Sequence, residues 1–385
     1  MGYQQKEIRL KNILSFWKRF NGEERFVFFN PLNQDLIIGA KRLRSFVSGE
    51  SYKNYPYVFS ARTFFTAVKD EKWAGFGNET IAFEYYVVEK NGKQTLYYIE
   101  EINEIEDREI ISCCHIYKSL TDDHEEWREL FAGIKKEISS RKVNKVVLSK
   151  EVIFECNKNI CIESVLNNLL RRNENSFVFA YSKKDKTFLG ATPEILVQKE
   201  KEQIISYALA GTILRDGKDE RGDQKQKTAL SNDPKNRYEH QLVLDSIAKV
   251  MKQYSSEVII DETKILTLKN LHHLQTCIRA KEDNSSLLEW VERLHPTPAL
   301  SGDPVQEALK IIARCEKHER GLYAAPIGIM NEAGDGIFVA GIRSALIQYN
   351  LVFAYTGCGI VDKSDCEDEY SEMNFKLRTI IESLQ

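Results

Sequence analysis

The stretch 327-IGIMNEAGDGIFVAGIRSALIQYNLVFAY-355 decides the fold class, because apolar runs in it alternate with short polar turns. The apolar runs predict three strands, at residues 327–330, 337–346 and 351–355. The intervening NEAGDG and QYN segments carry the glycine, asparagine and aspartate that are typical of turns. Strands joined by connections this short are expected to pair antiparallel.

Short strands recur outside this stretch, without the regular alternation of strand and helix that marks a Rossmann fold. Residues 1–120 alternate short apolar strands with polar turns, and further strands are predicted at residues 145–149, 176–181 and 195–198. Helical periodicity occurs at residues 127–139, 162–170, 236–252, 287–293, 304–314 and 365–384. The pattern predicts an antiparallel-rich α/β (α+β) protein, and no repeat or Pro/Ser-rich linker divides it.

Composition and charge argue against several functional classes. The formal net charge is −3, so no basic excess is available to neutralise phosphates, and we expect no nucleic-acid partner. No run of about 18 apolar residues predicts a membrane span, and the start MGYQQKEIRLKN has no apolar signal core. The eight cysteines form no Cys-x-x-Cys pair, which indicates free thiols in a reducing compartment. We therefore expect a cytoplasmic protein.

Three ionisable residues occupy positions where a plain core would have apolar side chains. Lys145 shares a strand face with Val143 and Val147 by alternation. Glu194 follows Pro193 at the entry to a predicted strand, and Glu239 heads the apolar stripe of a predicted helix. Each also has an ordinary interpretation, such as an edge-strand lysine or a glutamate that favours its helix N-terminus.

The last predicted helix adds a second ionisable group. Glu369, Glu372 and Lys376 are spaced i, i+3 and i+7, so they lie along one side of the helix. Carboxylates at the end of an apolar stripe need a partner, because an unpaired buried charge is costly. Mg²⁺ is bound through one or two carboxylates together with water and substrate oxygens. The alternative is a surface Glu372–Lys376 pair, which is the more common case.

Together these segments resemble the chorismate-utilising enzymes, the family of isochorismate, salicylate, anthranilate and aminodeoxychorismate synthases. Matching blocks follow the family order over about the last 240 residues. The blocks are Lys145-Val-Val-Leu-Ser149, Leu189-Gly-Ala-Thr-Pro-Glu194, Ala208-Leu-Ala-Gly-Thr212, Glu239-His240, His273-Leu-Gln-Thr276, Leu294-His-Pro-Thr-Pro-Ala-Leu-Ser-Gly302, Arg320-Gly-Leu-Tyr323, Ala340-Gly-Ile-Arg343, Gly357-Cys-Gly-Ile-Val361 and Glu369-x-x-Glu372-x-x-x-Lys376. The resemblance implies one large α/β domain over residues 1–385, with layered antiparallel β-sheets around a cleft and flanking helices. Residues 1–120 would be its variable N-terminal half and 121–385 its catalytic part.

The resemblance also implies a role for each matching residue. Lys145 would be the general base that activates water to attack ring C2 of chorismate, and Glu194 the general acid that protonates the departing C4 hydroxyl. Glu239 and Glu372 would hold Mg²⁺, with Glu369 nearby and acting through water. The implied substrate-binding residues are Gly211, Thr212, His273, Thr276, Tyr323, Arg343, Gly357, Gly359 and Lys376. Of these, His273 and Thr276 are expected to line the ring pocket.

These implied roles demand unusual protonation states. A free lysine, with a pKa of about 10.4, is a poor base at neutral pH, so Lys145 must lose its proton. Glu194 must stay protonated to act as an acid, which a desolvated site would favour. Chorismate is a dianion, so we expect fixed cations in the cleft, among them Arg343 for bidentate binding of a carboxylate.

Two residues separate the members of the family. Aminating members usually lack a lysine at position 145 and depend on a glutaminase, so Lys145 favours water as nucleophile and no obligatory glutaminase partner. Salicylate synthases characteristically carry Thr where this chain has Ala299, which favours a reaction that stops at isochorismate. We therefore predict a magnesium-dependent isochorismate synthase, an isomerase, of the menaquinone type, with an isochorismate synthase of the siderophore type as an alternative. Salicylate, anthranilate or aminodeoxychorismate synthesis, and a non-catalytic chorismate-binding protein, remain the alternatives.

Overall fold

The computed structural model describes residues 2–102, 105–107, 109–110, 113–215, 219–268, 271–281 and 283–385. Within these ranges lie twenty strands: β1 Gln4–Ile8, β2 Arg25–Asn30, β3 Asp35–Ser45, β4 Tyr57–Ala61, β5 Glu79–Lys90, β6 Lys93–Tyr98, β7 Tyr117–Ser119, β8 Lys145–Cys156, β9 Phe177–Lys183, β10 Lys186–Thr192, β11 Ile195–Glu200, β12 Gln203–Leu214, β13 Val258–Ile260, β14 Lys264–Thr267, β15 Leu271–Lys281, β16 Gly302–Asp303, β17 Pro326–Asn331, β18 Gly336–Ala340, β19 Ser344–Gln348 and β20 Leu351–Val361. The same ranges contain eight α-helices: α1 Leu14–Arg19, α2 His124–Ser139, α3 Ile162–Arg172, α4 Glu220–Asn232, α5 Pro234–Tyr254, α6 Leu287–Leu294, α7 Val305–Cys315 and α8 Cys366–Ser383.

The strands form two antiparallel layers that are joined through β5. One layer runs β1-β6-β5-β3-β2-β9-β10-β19-β20-β8-β7, with the short β16 also on β8. The other runs β4-β17-β18-β11-β12-β15, and β13 and β14 pair with the far side of β15. β4 pairs with β5, which links the layers. Every pairing in the described ranges is antiparallel, so the predicted fold class is confirmed.

An aromatic-rich core fills the space between the layers. Phe26, Phe59 and Tyr181 pack there against Leu346 and Tyr355 from the C-terminal strands. The outer face of the first layer is covered by α1, α3 and α8, and that of the second by α5 and α6. Helices α2 and α7 pack on β8 and β20. Alternating strand side chains therefore bury both faces of each layer.

The stretch that decides the fold contains four strands rather than the predicted three. The predicted strand 337–346 is divided into β18 and β19, so this prediction was wrong across residues 341–343. The reason is the backbone of Arg343, whose φ of 50° lies in the left-handed region. That region costs a non-glycine residue about 1–2 kcal/mol, and the apolar pattern of the segment carries no sign of it.

The predicted helices are present, with ends that differ from the predicted ones by a few residues. The final helix, α8, is one example, and α5 begins at Pro234, which the fixed backbone of proline favours at a first helical position. In the described part of the chain, no helix is long and apolar enough to cross a membrane.

The N-terminal strands complete both layers and support the C-terminal part. β4 pairs with β17 through Ala61 and Ile327. The Trp73 indole donates a hydrogen bond to the Glu319 carbonyl at 3.1 Å. A Cβ atom on Gly321 would lie 2.1 Å from the Trp73 ring, so only glycine fits there. This contact braces the turn that carries Tyr323.

Candidate active site

A cavity of about 900 Å³, including the solvent at its mouth, lies among β8, β12, β15, β20, α5 and α8. Thirteen of the fourteen predicted residues line it: Lys145, Glu194, Gly211, Thr212, Glu239, His273, Tyr323, Arg343, Gly357, Gly359, Glu369, Glu372 and Lys376. These residues are spread along the sequence from Lys145 to Lys376. Antiparallel pairing of β8 with β20 brings the first part of this range next to the last part.

Lys145 and Glu239 form a buried ion pair at the centre of the cavity. The Lys145 Nζ lies 2.8 Å from Glu239 Oε1, and the lysine side chain is only 1% exposed. Burial opposes ionisation of Glu239, but Lys145, together with the charges of Lys235 and Lys376, outweighs burial and holds the pKa of this carboxyl below its ordinary value. Gly359 faces the pair, and a Cβ atom there would lie 2.6 Å from both Glu239 Oε1 and Lys145 Cε. A side chain at position 359 would therefore displace the pair.

Glu194 lies between β10 and β11, where its backbone carbonyl accepts from Ala340 N at 2.9 Å. Among the described residues, none forms an ion pair or hydrogen bond with its carboxyl group. Burial raises the pKa of Glu194 to about 7, although the charges of Lys145, Lys376 and Arg343 act in the opposite direction. At neutral pH this carboxyl is therefore partly protonated, and a buried protonated carboxyl can donate a proton.

Two further ion pairs lie beside Glu239. Glu369 Oε1 is 2.6 Å from Lys235 Nζ, and Glu372 Oε1 is 2.7 Å from Lys376 Nζ. Glu369 is 3% exposed and continues the apolar stripe of α8, as its spacing predicts. Burial and the charge of Glu372 raise the pKa of Glu369 despite Lys235. Three glutamates therefore face one region, and each is paired with a lysine.

The carboxylates of Glu239, Glu369 and Glu372 are the residues that could hold a divalent cation. Their oxygens suit a hard ion such as Mg²⁺, which needs only one or two carboxylates besides water and ligand oxygens. In the described part of the chain, no three His, Cys, Asp or Glu residues are grouped as a metal site as they stand. The lysine pairs account for this, because each carboxylate already has a cation. The three carboxylates therefore fit Mg²⁺ if one of the paired lysines moves away from its carboxylate.

His273 holds Arg343 at the opposite wall. Arg343 Nη2 lies 2.9 Å from His273 Nε2, and a guanidinium can only donate, so this nitrogen accepts. The proton of the imidazole is then on Nδ1, which lies 3.0 Å from Thr212 Oγ1. Burial, Arg343 and Lys376 lower the pKa of His273 well below its ordinary value, so the ring is neutral. Burial lowers the pKa of Arg343 to about 10, and the residue remains a cation at neutral pH.

Backbone groups of β20 and β12 shape the rest of the wall. Lys376 Nζ donates to the Gly357 carbonyl at 2.9 Å. A Cβ atom on Gly357 would lie 2.9 Å from Tyr323 Oη. Gly211 has φ +79°, and a Cβ atom there would lie 2.9 Å from the Asn236 carbonyl. Glycine at positions 211, 357 and 359 therefore keeps the cavity open.

The structure places Thr276 behind the cavity wall, in contrast to the expectation that it lines the ring pocket. Thr276 is fully buried and is not among the described lining residues. Its Oγ1 lies 2.8 Å from His240 Nε2 and 2.8 Å from Thr263 Oγ1. His240 in turn contacts the Ala210 carbonyl through Nδ1 at 3.2 Å. Thr276 thus helps to position α5 on β12, and its side chain does not reach a ligand in the cavity.

Sequence reasoning missed two contributors. Lys235 lines the cavity. It could have been noticed in the sequence because it is a lysine beside the start of a predicted helix, where the helix dipole disfavours a cation. Glu316 and Arg320 form a buried pair at 2.6 Å, in which Arg320 lines the cavity. Arg320 Nη2 also donates to the Val147 carbonyl at 2.8 Å, which fixes the strand that carries Lys145. Arg320 stands in a matching block, but its burial beside Glu316 was not predictable from that block.

Comparisons with known proteins agree with this fold. A family model described as chorismate binding enzyme matches residues 100–385. The chain is 36% identical over 264 residues to isochorismate synthase MenF of Bacillus subtilis, a match that covers 68% of this chain and 56% of that protein. It is 37% identical over 222 residues to the salicylate biosynthesis isochorismate synthase of Pseudomonas aeruginosa, covering 57% of this chain and 46% of that protein. The matches thus span about half the length of these curated relatives.

Among solved structures, the fold resembles that of MenF, the menaquinone-specific isochorismate synthase from Escherichia coli. The TM-score is 0.86 at 21% sequence identity, and the match covers 100% of this chain and 95% of that one. The fold and the family model together define the class of protein: the chain belongs to the chorismate-binding enzymes.

Proposed function

We propose that this chain is a magnesium-dependent isochorismate synthase that interconverts chorismate and isochorismate. The observation that carries the proposal is one cavity that contains Lys145, Glu194 and the three carboxylates of Glu239, Glu369 and Glu372. Two of the similar curated proteins are isochorismate synthases by name, which supports the same reaction.

In the proposed reaction, Lys145 is the base and Glu194 the acid. The neutral amine of Lys145 takes a proton from water, and the water oxygen bonds to ring C2. The ring double bonds shift, the C4–O bond breaks, and Glu194 gives its proton to the departing hydroxyl, which leaves as water. One water enters and one leaves, so the reaction is an isomerisation.

The protonation state of Glu194 supports this assignment. Its pKa of about 7 keeps a substantial protonated fraction at neutral pH, whereas an ordinary glutamate would be almost fully ionised. Lys145 donates to Glu239 in this state. An ammonium cannot accept a proton, so Lys145 must lose one before it can act as the base, and a cation held by Glu239 would then replace the lysine charge beside that carboxylate.

The anionic substrate would be held by the cations of the opposite wall. Arg343, fixed by His273, can bind a carboxylate through two parallel hydrogen bonds. Lys376 and Tyr323 lie beside it on the same cavity. The strained backbone of Arg343 is consistent with a side chain that is aimed in advance of binding.

Mg²⁺, held by Glu239 and Glu372 with Glu369 nearby, would neutralise a substrate carboxylate and orient the ring. Where a lysine moves away from its glutamate, the uncovered carboxylate would repel a dianion, and a cation between the two would remove that repulsion. This effect, rather than any bound ion, supports magnesium as the cofactor.

Incubation of the purified protein with chorismate and Mg²⁺, followed by chromatography of the products, tests the proposal. We expect isochorismate, and we expect a chelator to abolish its formation. Salicylate as the main product at neutral pH, or anthranilate or aminodeoxychorismate formed only with ammonia, would reassign the chain within the family. Binding of chorismate without any product would favour a non-catalytic role.

We further propose the menaquinone pathway and a single domain over residues 1–385. The pathway proposal is supported by the longer match to a MenF protein, over 264 residues against 222 for the salicylate biosynthesis enzyme, and the neighbouring genes would test it. The single-domain proposal is supported by the core between the layers, which combines Phe26 and Phe59 with Tyr355. One cooperative unfolding transition, seen alike by tryptophan fluorescence and circular dichroism, would agree with it.

A further inference from the structure

Lys235 stands apart from the other lysines of the cavity. Its Nζ lies 2.6 Å from Glu369 Oε1, and its electrostatic environment includes Glu239 and Glu372 as well. Its ammonium group therefore faces all three carboxylates that could hold a divalent cation.

The position of Lys235 in its helix is unfavourable by local criteria. α5 begins at Pro234, so Lys235 is its second residue, close to the positive end of the helix dipole. A cation there is destabilising unless a nearby negative charge outweighs the dipole. Glu369, which is 3% exposed, supplies that charge across the gap between α5 and α8.

Of the three paired lysines, Lys235 can move away from its carboxylate at the lowest cost in free energy. Its side chain is 26% exposed, whereas Lys145 is 1% exposed. Lys376 is held by a second hydrogen bond, to the Gly357 carbonyl at 2.9 Å. A lysine with a partly exposed stem can turn its ammonium into water, where it is well solvated.

We propose that Lys235 is a resident counter-cation, which neutralises Glu369 while the metal is absent and turns into solvent when Mg²⁺ binds. The inference rests on the metal site of the proposed function. The lysine then has two effects of opposite sign. It stabilises the metal-free protein, because a buried carboxylate without a partner is costly, and it weakens Mg²⁺ binding, because the ion must displace it.

Isothermal titration of MgCl₂ into the full-length, substrate-free protein tests the proposal. We expect Lys235→Met to bind Mg²⁺ about tenfold more tightly than the unaltered chain. Lys235→Arg, which keeps the charge, should bind as the unaltered chain does. Lys249→Met, a lysine on the exposed face of the same helix, is the matched control and should have no effect. In a Glu369→Gln background, Lys235→Met should give no gain.

Melting temperatures provide a second readout if the methionine variant is poorly soluble. Lys235→Gln should melt below the unaltered chain in a chelator and should gain more from added Mg²⁺. Equal or weaker Mg²⁺ binding by Lys235→Met, no binding by either protein, or a gain that persists with Glu369→Gln would overturn the inference. Because no substrate is present, an active enzyme that fails this test refutes only the role of Lys235. If Mg²⁺ binds to the variants as expected but no isochorismate is formed, only the proposed function is refuted.

Discussion

Glu194 and Glu239 lie in the same cavity and are both buried, yet their proton affinities move in opposite directions. The pKa of Glu194 rises to about 7, and that of Glu239 falls below its ordinary value. The difference follows from the nearest positive charge: Lys145 lies 2.8 Å from Glu239, and the charges of Lys235 and Lys376 act on the same carboxyl. Glu194 receives only more distant positive charge. Burial alone therefore does not set the protonation state of a carboxyl group, and the nearest hydrogen-bonded charge decides it.

This contrast divides the cavity into an acid side and a cation side. A carboxyl that keeps its proton can deliver it, and a carboxylate that has lost its proton can hold a metal ion. Lys145 lies between the two sides: it contacts Glu239 on the cation side, and its charge acts on Glu194 on the acid side.

Replacement of Lys145 by alanine should have the largest effect on turnover. We expect kcat to fall toward the upper end of the ~10²–10⁴-fold range for loss of a general base, while Mg²⁺-dependent chorismate binding persists. Product chromatography gives the rate, and calorimetry gives the binding. If binding disappears together with turnover, Lys145 is part of the substrate site rather than the base.

Glu194→Gln should lower kcat by a smaller factor within the same ~10²–10⁴-fold range, because glutamine can still donate a hydrogen bond to the leaving hydroxyl. In the unaltered enzyme, kcat/KM should fall as pH rises through about 7, since Glu194 then loses the proton it must deliver. In the enzyme–substrate complex, the negative charge of the bound dianion should raise the pH at which kcat falls. A variant that keeps the alkaline limb of kcat/KM would show that another group titrates there.

The raised pKa of Glu194 has a consequence for stability as well. Its protonated form contributes stability below the ordinary pKa of 4.5, and this contribution is lost as pH rises through about 7. In Glu194→Gln this part of the pH dependence should be missing from the free energy of unfolding, measured with urea at pH 5 and pH 8.

Glu239→Gln should act on the cation side and leave the acid side intact. We expect Mg²⁺-dependent chorismate binding to weaken by about tenfold, or ~1.4 kcal/mol. Calorimetric titration of chorismate at fixed Mg²⁺ measures this. The alkaline limb of the pH profile should stay near that of the unaltered enzyme. A variant that resembles Lys145→Ala in both assays would remove the division between the two sides.

Gly359→Ala should act on the stability of the protein, and it tests the packing of the Lys145–Glu239 pair. Its Cβ would lie 2.6 Å from Glu239 Oε1, so we expect a loss of ~1–3 kcal/mol in the free energy of unfolding. Gly133→Ala in α2 is the control, because a Cβ there meets nothing within 4 Å. That change should stabilise the protein by ~0.5–1 kcal/mol. Equal effects of the two changes would mean that the pair can shift without cost.

The fold was predictable where local pattern and tertiary role agree. The apolar runs of β17 and β20 and the periodicity of α8 are visible in the sequence because their buried faces repeat at strand or helix spacing. The division between β18 and β19 was not visible in the sequence, because the apolar pattern of the segment does not indicate the left-handed backbone of Arg343. β12, which is central to the second layer, was not assigned as a strand, since its small residues Ala208 and Ala210 give a weak strand signal.

The candidate site shows the same limit. The matching blocks predicted that Lys145, Glu194 and the three proposed metal-binding glutamates share one cavity. In the structure all of them line the same cavity. The partners of these residues could not be predicted, because the Glu369–Lys235 contact joins residues 134 positions apart. Thr276, which the resemblance assigned to the ring pocket, lies behind the wall, and the matching block does not indicate that a histidine from α5 contacts it there.

The contact between Trp73 and Gly321 bears on how the chain could be shortened. The family model begins at residue 100, yet the indole that seats the Tyr323 turn comes from before that boundary, as does the partner of β17. A fragment cut at residue 100 would expose one long edge of β17 and an empty slot opposite Gly321. We therefore expect such a fragment to aggregate, so the border of sequence similarity is a poor guide to where this protein can be divided.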